Sequence, residues 1–202
     1  MTNEGRLIIF SAPSGCGKGT MLAEILKDDH FYCSVSATTR QPREGEVDGV
    51  NYHFLTTESF KQKIDEDAFL EYARYCDNYY GTLTSEVDNR LKAGINVILE
   101  IEVQGAMKVM EKRHDALSVF IAPPSVGELR RRLNKRGTET QEVIDKRVRA
   151  ALDELPYAAN YDYIIVNDAL EDAVDDFFAV IRAEQLKKNV QRKFIDEVIE
   201  NA

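Results

Sequence analysis

The sequence predicts an α/β fold in which a parallel β-sheet carries helices on both faces. Three observations carry this expectation. Short apolar, β-branched runs recur along the chain, too compact for helices and bounded by turn residues. The stretches between them have helical spacing, and parallel strands need crossover connections of that kind. Near the N-terminus a strand, a glycine-rich loop and a helix follow one another directly.

The elements are read in chain order. Arg6-Leu7-Ile8-Ile9-Phe10 is a buried strand that enters a loop at Ser11-Ala12-Pro13. A helix is expected over 18–27, where Met21, Leu22, Ile25 and Leu26 recur at helical spacing. Residues 34–80 break the rhythm, being rich in Thr, Tyr, Arg and Gly, with strand-like pieces at 35–38 and 52–55 flanking a turn. This segment is expected to be an inserted lobe. A helix over 84–92 should stop at Gly94 in a left-handed conformation. Strands are expected at 97–101, 116–121 and 163–166. Ser125-Val126-Gly127-Glu128, after Pro123-Pro124, has capping-box spacing and should open a helix running through Leu133. The stretch 170–199 is helical in pattern. Its tail carries a stripe of Leu186, Val190, Phe194 and Val198, suited to packing on a second subunit or on the chain's own core. The expected organisation is a core of 1–33 and 81–202, with 34–80 inserted.

Composition narrows the function. With 202 residues, 44% hydrophobic and 30% charged, the chain has room for one core domain carrying a smaller insert. The net charge of −9 argues against a general nucleic-acid surface, which needs excess Lys and Arg. No apolar stretch approaches the roughly 18 residues that span a bilayer, and the first residues lack a signal-peptide layout. A cytoplasmic location is expected. Cys16, Cys33 and Cys76 make neither a metal-ligand spacing nor an even disulfide set, and His30, His53 and His114 are scattered. Free thiols and no zinc site follow.

The chemistry begins at Ser11-Ala12-Pro13-Ser14-Gly15-Cys16-Gly17-Lys18-Gly19-Thr20, in the strand-to-helix context that a phosphate-binding loop requires. Gly15, Gly17 and Gly19 let successive N–H groups turn inward, and the helix N-terminus adds positive charge. Lys18 should reach the β- and γ-phosphates, and Thr20 is the candidate Mg²⁺ contact. Two positions depart from the usual pattern: Ala12 replaces the first glycine, and Gly19 follows the lysine. The Gly-Lys-Gly-Thr ending is similar to that of nucleoside monophosphate kinases, within the P-loop NTPase type of fold. Cys16 has two readings, a thiol made reactive by the helix N-terminus and Lys18, or a small filler with its sulfur turned inward.

Val35-Ser36-Ala37-Thr38-Thr39-Arg40-Gln41-Pro42-Arg43, followed by Gly45-Glu46-Val47-Asp48-Gly49-Val50-Asn51-Tyr52, closely resembles the acceptor-binding segment of guanylate kinases. The resemblance continues through Phe69-Leu70-Glu71-Tyr72, Asn78-Tyr79-Tyr80-Gly81-Thr82, Leu99-Glu100-Ile101-Glu102, Arg136-Gly137-Thr138-Glu139 and Val166-Asn167-Asp168, covering nearly the whole chain in order. It implies transfer of the γ-phosphoryl group of ATP to GMP, and to dGMP, with Mg²⁺.

The residues agree with that implication. Arg40 and Arg43 are forked donors in a turn held by Pro42, suited to a phosphate monoester, and Tyr52 and Tyr80 add hydroxyls. Guanine offers N1–H and N2–H₂ as adjacent donors, which a carboxylate accepts in parallel. Glu71 matches the family position for that contact, and Ser36, Thr82 and Glu102 match the other base-contacting positions. Glu100 closes a buried strand, where P-loop proteins place an acid near the metal. Arg132, Arg136 and Arg147 flank a polar segment suited to a lid at about 133–142, and in the family such arginines close over the transferring group. Asn167 matches a position near the ATP base, although Ala169 stands where the family has a second acid. No general base is needed, because the GMP phosphate is itself an anionic nucleophile. The intact Gly17, Lys18 and Thr20 argue against a non-catalytic scaffold domain, and Glu71 argues against an AMP, UMP or TMP kinase.

Overall fold

The computed structural model describes residues 4–135 and 140–201. Its first strand, β1 (Leu7–Ser11), is buried at every position. Alternation explains why. Ile8 and Phe10 point to one hydrophobic cluster while Leu7 and Ile9 point to another, so a strand covered on both faces reads as a continuous apolar run.

Five parallel strands form the main sheet. β1 lies at its centre between β7 (Asn96–Glu100) and β8 (Leu117–Ala122), with β2 (Phe31–Cys33) and β9 (Tyr163–Val166) at the edges. The edge strand β2 was not expected, since three residues carry too little pattern to register. One face is covered by α1 (Lys18–Ile25), α5 (Val126–Lys135), α6 (Gln141–Glu154) and α7 (Leu170–Gln185), with Phe177 set edge-on against Phe10 at 5.8 Å. The other is covered by α3 (Thr84–Lys92) and α4 (Val103–Lys112). Helices on both faces of a parallel sheet are as predicted. α3 ends as expected: Gly94 sits at φ 83°, and the N–H of Ile95 reaches Arg90 O at 3.1 Å.

A second sheet is built from β4 (His53–Phe54), β3 (Ala37–Thr38), β6 (Asn78–Leu83) and β5 (Phe69–Tyr75), in that order. Strand β6 runs to Leu83, three residues past the expected end of the insert. The two strand-like pieces flanking a turn do not make a hairpin, because β3 and β4 pair in parallel. The hairpin is β5–β6, whose two-residue turn places Cys76 and Asp77 at φ 45° and 66°. Under this sheet α2 (Thr57–Asp65) is capped by Thr56, whose side chain accepts from the N–H of Ser59, and it stacks Phe60 on Phe69 at 4.3 Å. α4 reaches across to the hairpin. Nζ of Lys108 and of Lys112 donate to Tyr72 O and Phe69 O at 3.2 and 3.1 Å.

The capping box at Ser125 is half made. Ser125 Oγ accepts from Glu128 N at 3.1 Å, but the Glu128 carboxylate turns to Arg131 and Arg132, which hold it down at about 2. The C-terminal stretch breaks into α7 and α8 (Lys188–Glu200). α8 leaves Val190, Phe194 and Val198 exposed, as is Leu186 before it, so the stripe does not pack on the chain's own core.

Candidate active site

Every strand of the main sheet points its C-terminal end to one edge, and the loop between β1 and α1 lies there. α1 has Gly17 at its N-cap, no side-chain cap and no acid in its first turn. Its orphan N–H groups and dipole therefore face an anion without a competing carboxylate on the helix. Gly15 and Gly17 adopt φ 91° and 85°. A Cβ at Gly17 would fall 2.6 Å from Asn167 Nδ2, and one at Gly15 would fall 2.9 Å from methyl carbons of Leu129 and Leu133. Only glycine fits a loop pressed so closely on α5 and on the chain after β9.

Two side chains, Asn167 and Arg147, hold the loop from outside, and Arg132 holds Asn167 in turn. Asn167, buried, donates from Nδ2 to Cys16 O at 2.8 Å. Arg132 donates to Asn167 O and Asp168 O at 2.9 and 3.1 Å, and its Nε donates to Glu128 at 2.7 Å. Arg147 donates from Nη2 and Nε to Ser14 Oγ at 2.7 and 3.2 Å. Ala12 and Pro13 are buried, whereas Ser14, Gly19 and Thr20 are exposed. Lys18 Nζ lies 3.4 Å from Ile101 O and 4.0 Å from Glu100 at the end of β7. Arg136 lies outside the described residues, as does the expected lid segment 136–139; 133–135 and 141–142 belong to α5 and α6.

The reactive reading of Cys16 is overturned. Its side chain is 0% exposed, and burial pushes the thiol up to about 12, outweighing the opposing pull of Arg132 and Lys18. Cys16, Cys33 and Cys76 are all free thiols.

Across from the loop, the second sheet gathers much of the expected acceptor set. The Arg40 guanidinium lies over Tyr52 at 5.4 Å and Phe54 at 5.9 Å, and Tyr52 meets Tyr80 edge-on at 6.0 Å. Arg43 has an exposed side chain on the adjoining turn, with its N–H bonded to Glu46. Deeper in, the carboxylate of Glu71 accepts from Thr82 Oγ1 at 3.0 Å. Burial raises the Glu71 carboxyl above its ordinary value, against the lowering effect of that hydrogen bond and of Lys108. Gly105 of α4 borders it: a Cβ there would lie 3.5 Å from Glu71 Oε2. Ser36 is half-buried and accepts from His53 N through its carbonyl at 2.9 Å, while Glu102, exposed, is the N-cap of α4.

Two further acids lie in this region. Glu46 sits inside the recognised acceptor segment and grips Arg40 at 2.8 Å. Glu154, at the end of α6, is raised first by burial and then by Glu102, while Lys18 lowers it. Nothing local marks Glu154. It reaches the site only because α6 folds back over the loop.

Comparisons with known proteins identify the family. A family model described as "Guanylate kinase" matches residues 4–184. A guanylate kinase of Clostridium perfringens (strain SM101 / Type A) is 52% identical over 204 residues, covering 98% of this chain and 94% of that protein. One of Latilactobacillus sakei subsp. sakei is 50% identical over 189 residues, with 93% of each covered. The crystal structure of guanylate kinase from Anaplasma phagocytophilum superposes with a TM-score of 0.69 at 34% identity, over 93% of this chain and 89% of that one. With a family model spanning most of its length and half its residues shared with such relatives, this chain belongs to the guanylate kinase family.

Proposed function

We propose that the chain transfers the γ-phosphoryl group of ATP to GMP, and to dGMP, giving ADP and GDP or dGDP. The observation that carries this reading is the pairing of two anion sites on one molecule: an uncapped, acid-free helix start with Lys18, and a lobe where Arg40 lies among Tyr52, Phe54 and Tyr80. The half-buried carboxylate of Glu71, steadied by Thr82, supplies the guanine selectivity. It accepts from N1–H and N2–H₂ together, whereas adenine has no such donor pair.

ATP would lie with its phosphates in the loop from Ala12 to Thr20, and Lys18 would neutralise charge on the transferring group. Arg147 would add positive charge from α6 and Arg136 from the lid. The GMP phosphate, held by Arg40, Arg43, Tyr52 and Tyr80, attacks in line, so catalysis is alignment and charge stabilisation. Mg²⁺ fits the donors present. Thr20 offers a hydroxyl and Glu100 a partly exposed carboxylate, hard oxygens that complement phosphate and water around this ion. When bound there, it would offset charge on the β- and γ-phosphates.

No described helix is long and apolar enough to cross a membrane, and a cytoplasmic site of action is the location this reaction calls for. The exposed apolar stripe of α8 is suited to a second copy of the chain. Incubating the purified protein with MgATP and GMP, dGMP, AMP, UMP or TMP tests the assignment. GMP should be the preferred acceptor, and turnover that favours any of the last three overturns the reading.

A further inference from the structure

Between Gln41 and Asn51 every residue is exposed except Glu46, whose side chain is 18% exposed. A carboxylate on an exposed turn gives up water only where donors replace it. Glu46 has two. Its Oε1 accepts from Arg40 Nη2 at 2.8 Å, and its Oε2 accepts from the Arg43 N–H at 2.7 Å. Its own N–H returns to Arg43 O at 3.1 Å, next to Gly45 at φ 84°. One side chain thus joins the guanidinium of the first arginine to the backbone of the second.

Arg40 is held from its other sides as well. Its Nη1 donates to Gln41 O at 2.8 Å, and its face lies against Tyr52 and Phe54. Tyr80 also faces the guanidinium, so an incoming anion would meet the Arg40 fork and this hydroxyl together. A long side chain already fixed loses less freedom when it captures a ligand. Resting on the assignment of Arg40 to the acceptor phosphate, we infer that Glu46 is a positioning residue: it sets Arg40 and the Arg43 backbone in the shape that receives the phosphate of GMP. Glu46 does not itself touch the nucleotide. Its negative charge opposes phosphate binding, so the inference requires the gain in orientation to exceed that repulsion.

The test uses the full chain as wild type, Glu46→Gln and Glu46→Asp. Binding of GMP and of guanosine, which lacks the phosphate, is measured by calorimetry, alongside steady-state kinetics. In Glu46→Gln the affinity for GMP should fall about tenfold, with guanosine affinity, the KM for ATP and kcat at saturating GMP each within about twofold. Equal weakening of GMP and guanosine would make Glu46 a mere scaffold of the lobe, and tighter GMP binding would make it a competitor of the phosphate. Either overturns the inference, as does an unchanged GMP affinity. If thermal melting shows Glu46→Gln unfolded, Glu46→Asp carries the same comparison, because its shorter arm cannot span both donors. Wild-type protein that fails to phosphorylate GMP sinks the proposed reaction and this inference together. Normal wild-type turnover with an unaltered Gln variant sinks this inference alone.

Discussion

The bonds that Lys18 makes within the chain are long, 3.4 Å to a carbonyl and 4.0 Å to Glu100, so its charge can be redirected to a phosphate at little cost. Lys18→Ala should leave a folded protein whose phosphoryl transfer falls at least a hundredfold, since such a charge contributes about 3 kcal/mol or more to the transition state. GMP binding should persist. Activity above about a tenth of wild type would show the loop is misassigned. Glu71 makes a different prediction through its raised carboxyl. Pairing with guanine requires the carboxylate, and a folded value above the ordinary one means protonation begins at a higher pH. The KM for GMP should therefore climb as pH falls, before exposed carboxylates titrate. In Glu71→Gln the climb should shrink to the part set by protonation of the GMP phosphate itself, whose second pKa is about 6, while the KM starts higher. A wild-type KM flat down to the ordinary glutamate range would take Glu71 out of the base site.

Between elements, the loop after β1 depends on the chain after β9. Asn167 Nδ2 holds Cys16 O, and Arg132 on α5 holds Asn167 O in turn. Glu128, left over from an incomplete capping box, fixes Arg132 from behind. Asn167→Ala leaves a buried carbonyl without its donor and should lower unfolding free energy by about 1–3 kcal/mol. It should also raise the KM for ATP while leaving that for GMP unchanged. Denaturant melts and two-substrate kinetics read both, and equal changes in the two KM values would refute a role specific to the loop. The Lys108 and Lys112 contacts tie α4 to the β5–β6 hairpin, so the second sheet is joined to the core by more than its two chain crossings. Ser34, at one crossing, donates to Glu86 of α3, just beyond the other, at 2.9 Å.

At the scale of the whole molecule, the two anion sites belong to different sheets, and a reaction between their ligands requires the sheets to approach and exclude water. A bisubstrate analogue should add hydrogen-exchange protection both to residues 34–80 and to the segment around 136–140. Protection confined to the phosphate loop would count against closure. The far end of the molecule offers a second test. Val190, Phe194 and Val198 are each at least 41% exposed on α8, and an apolar stripe left open to water marks an interaction surface. Deleting the residues after Lys188 should lower the particle mass in solution by more than the deleted residues alone. A loss equal to those residues would remove the subunit role.

Much of this was legible in the sequence because it is local. A strand buried on both faces needs a continuous apolar run, a left-handed helix end needs Gly94, and a phosphate loop needs glycines beside Lys18; each requirement is met by residues adjacent in the chain. The order of the acceptor segment from Ser36 to Thr82 was legible for the same reason, as a motif. Pairing was not. Whether β3 meets β4 in parallel, whether β5 turns back through Cys76 and Asp77, and where Glu154 lands depend on contacts between residues far apart in sequence. The burial of Cys16 belongs with these. Its neighbours in the chain favour a thiolate, yet α5 and the residues after β9 exclude water from it, and in a low-dielectric interior desolvation outweighs the charges of Lys18 and Arg132. Local chemistry therefore determined which groups are present, and tertiary packing decided which of them meet water, which meet one another, and which only hold the others in place.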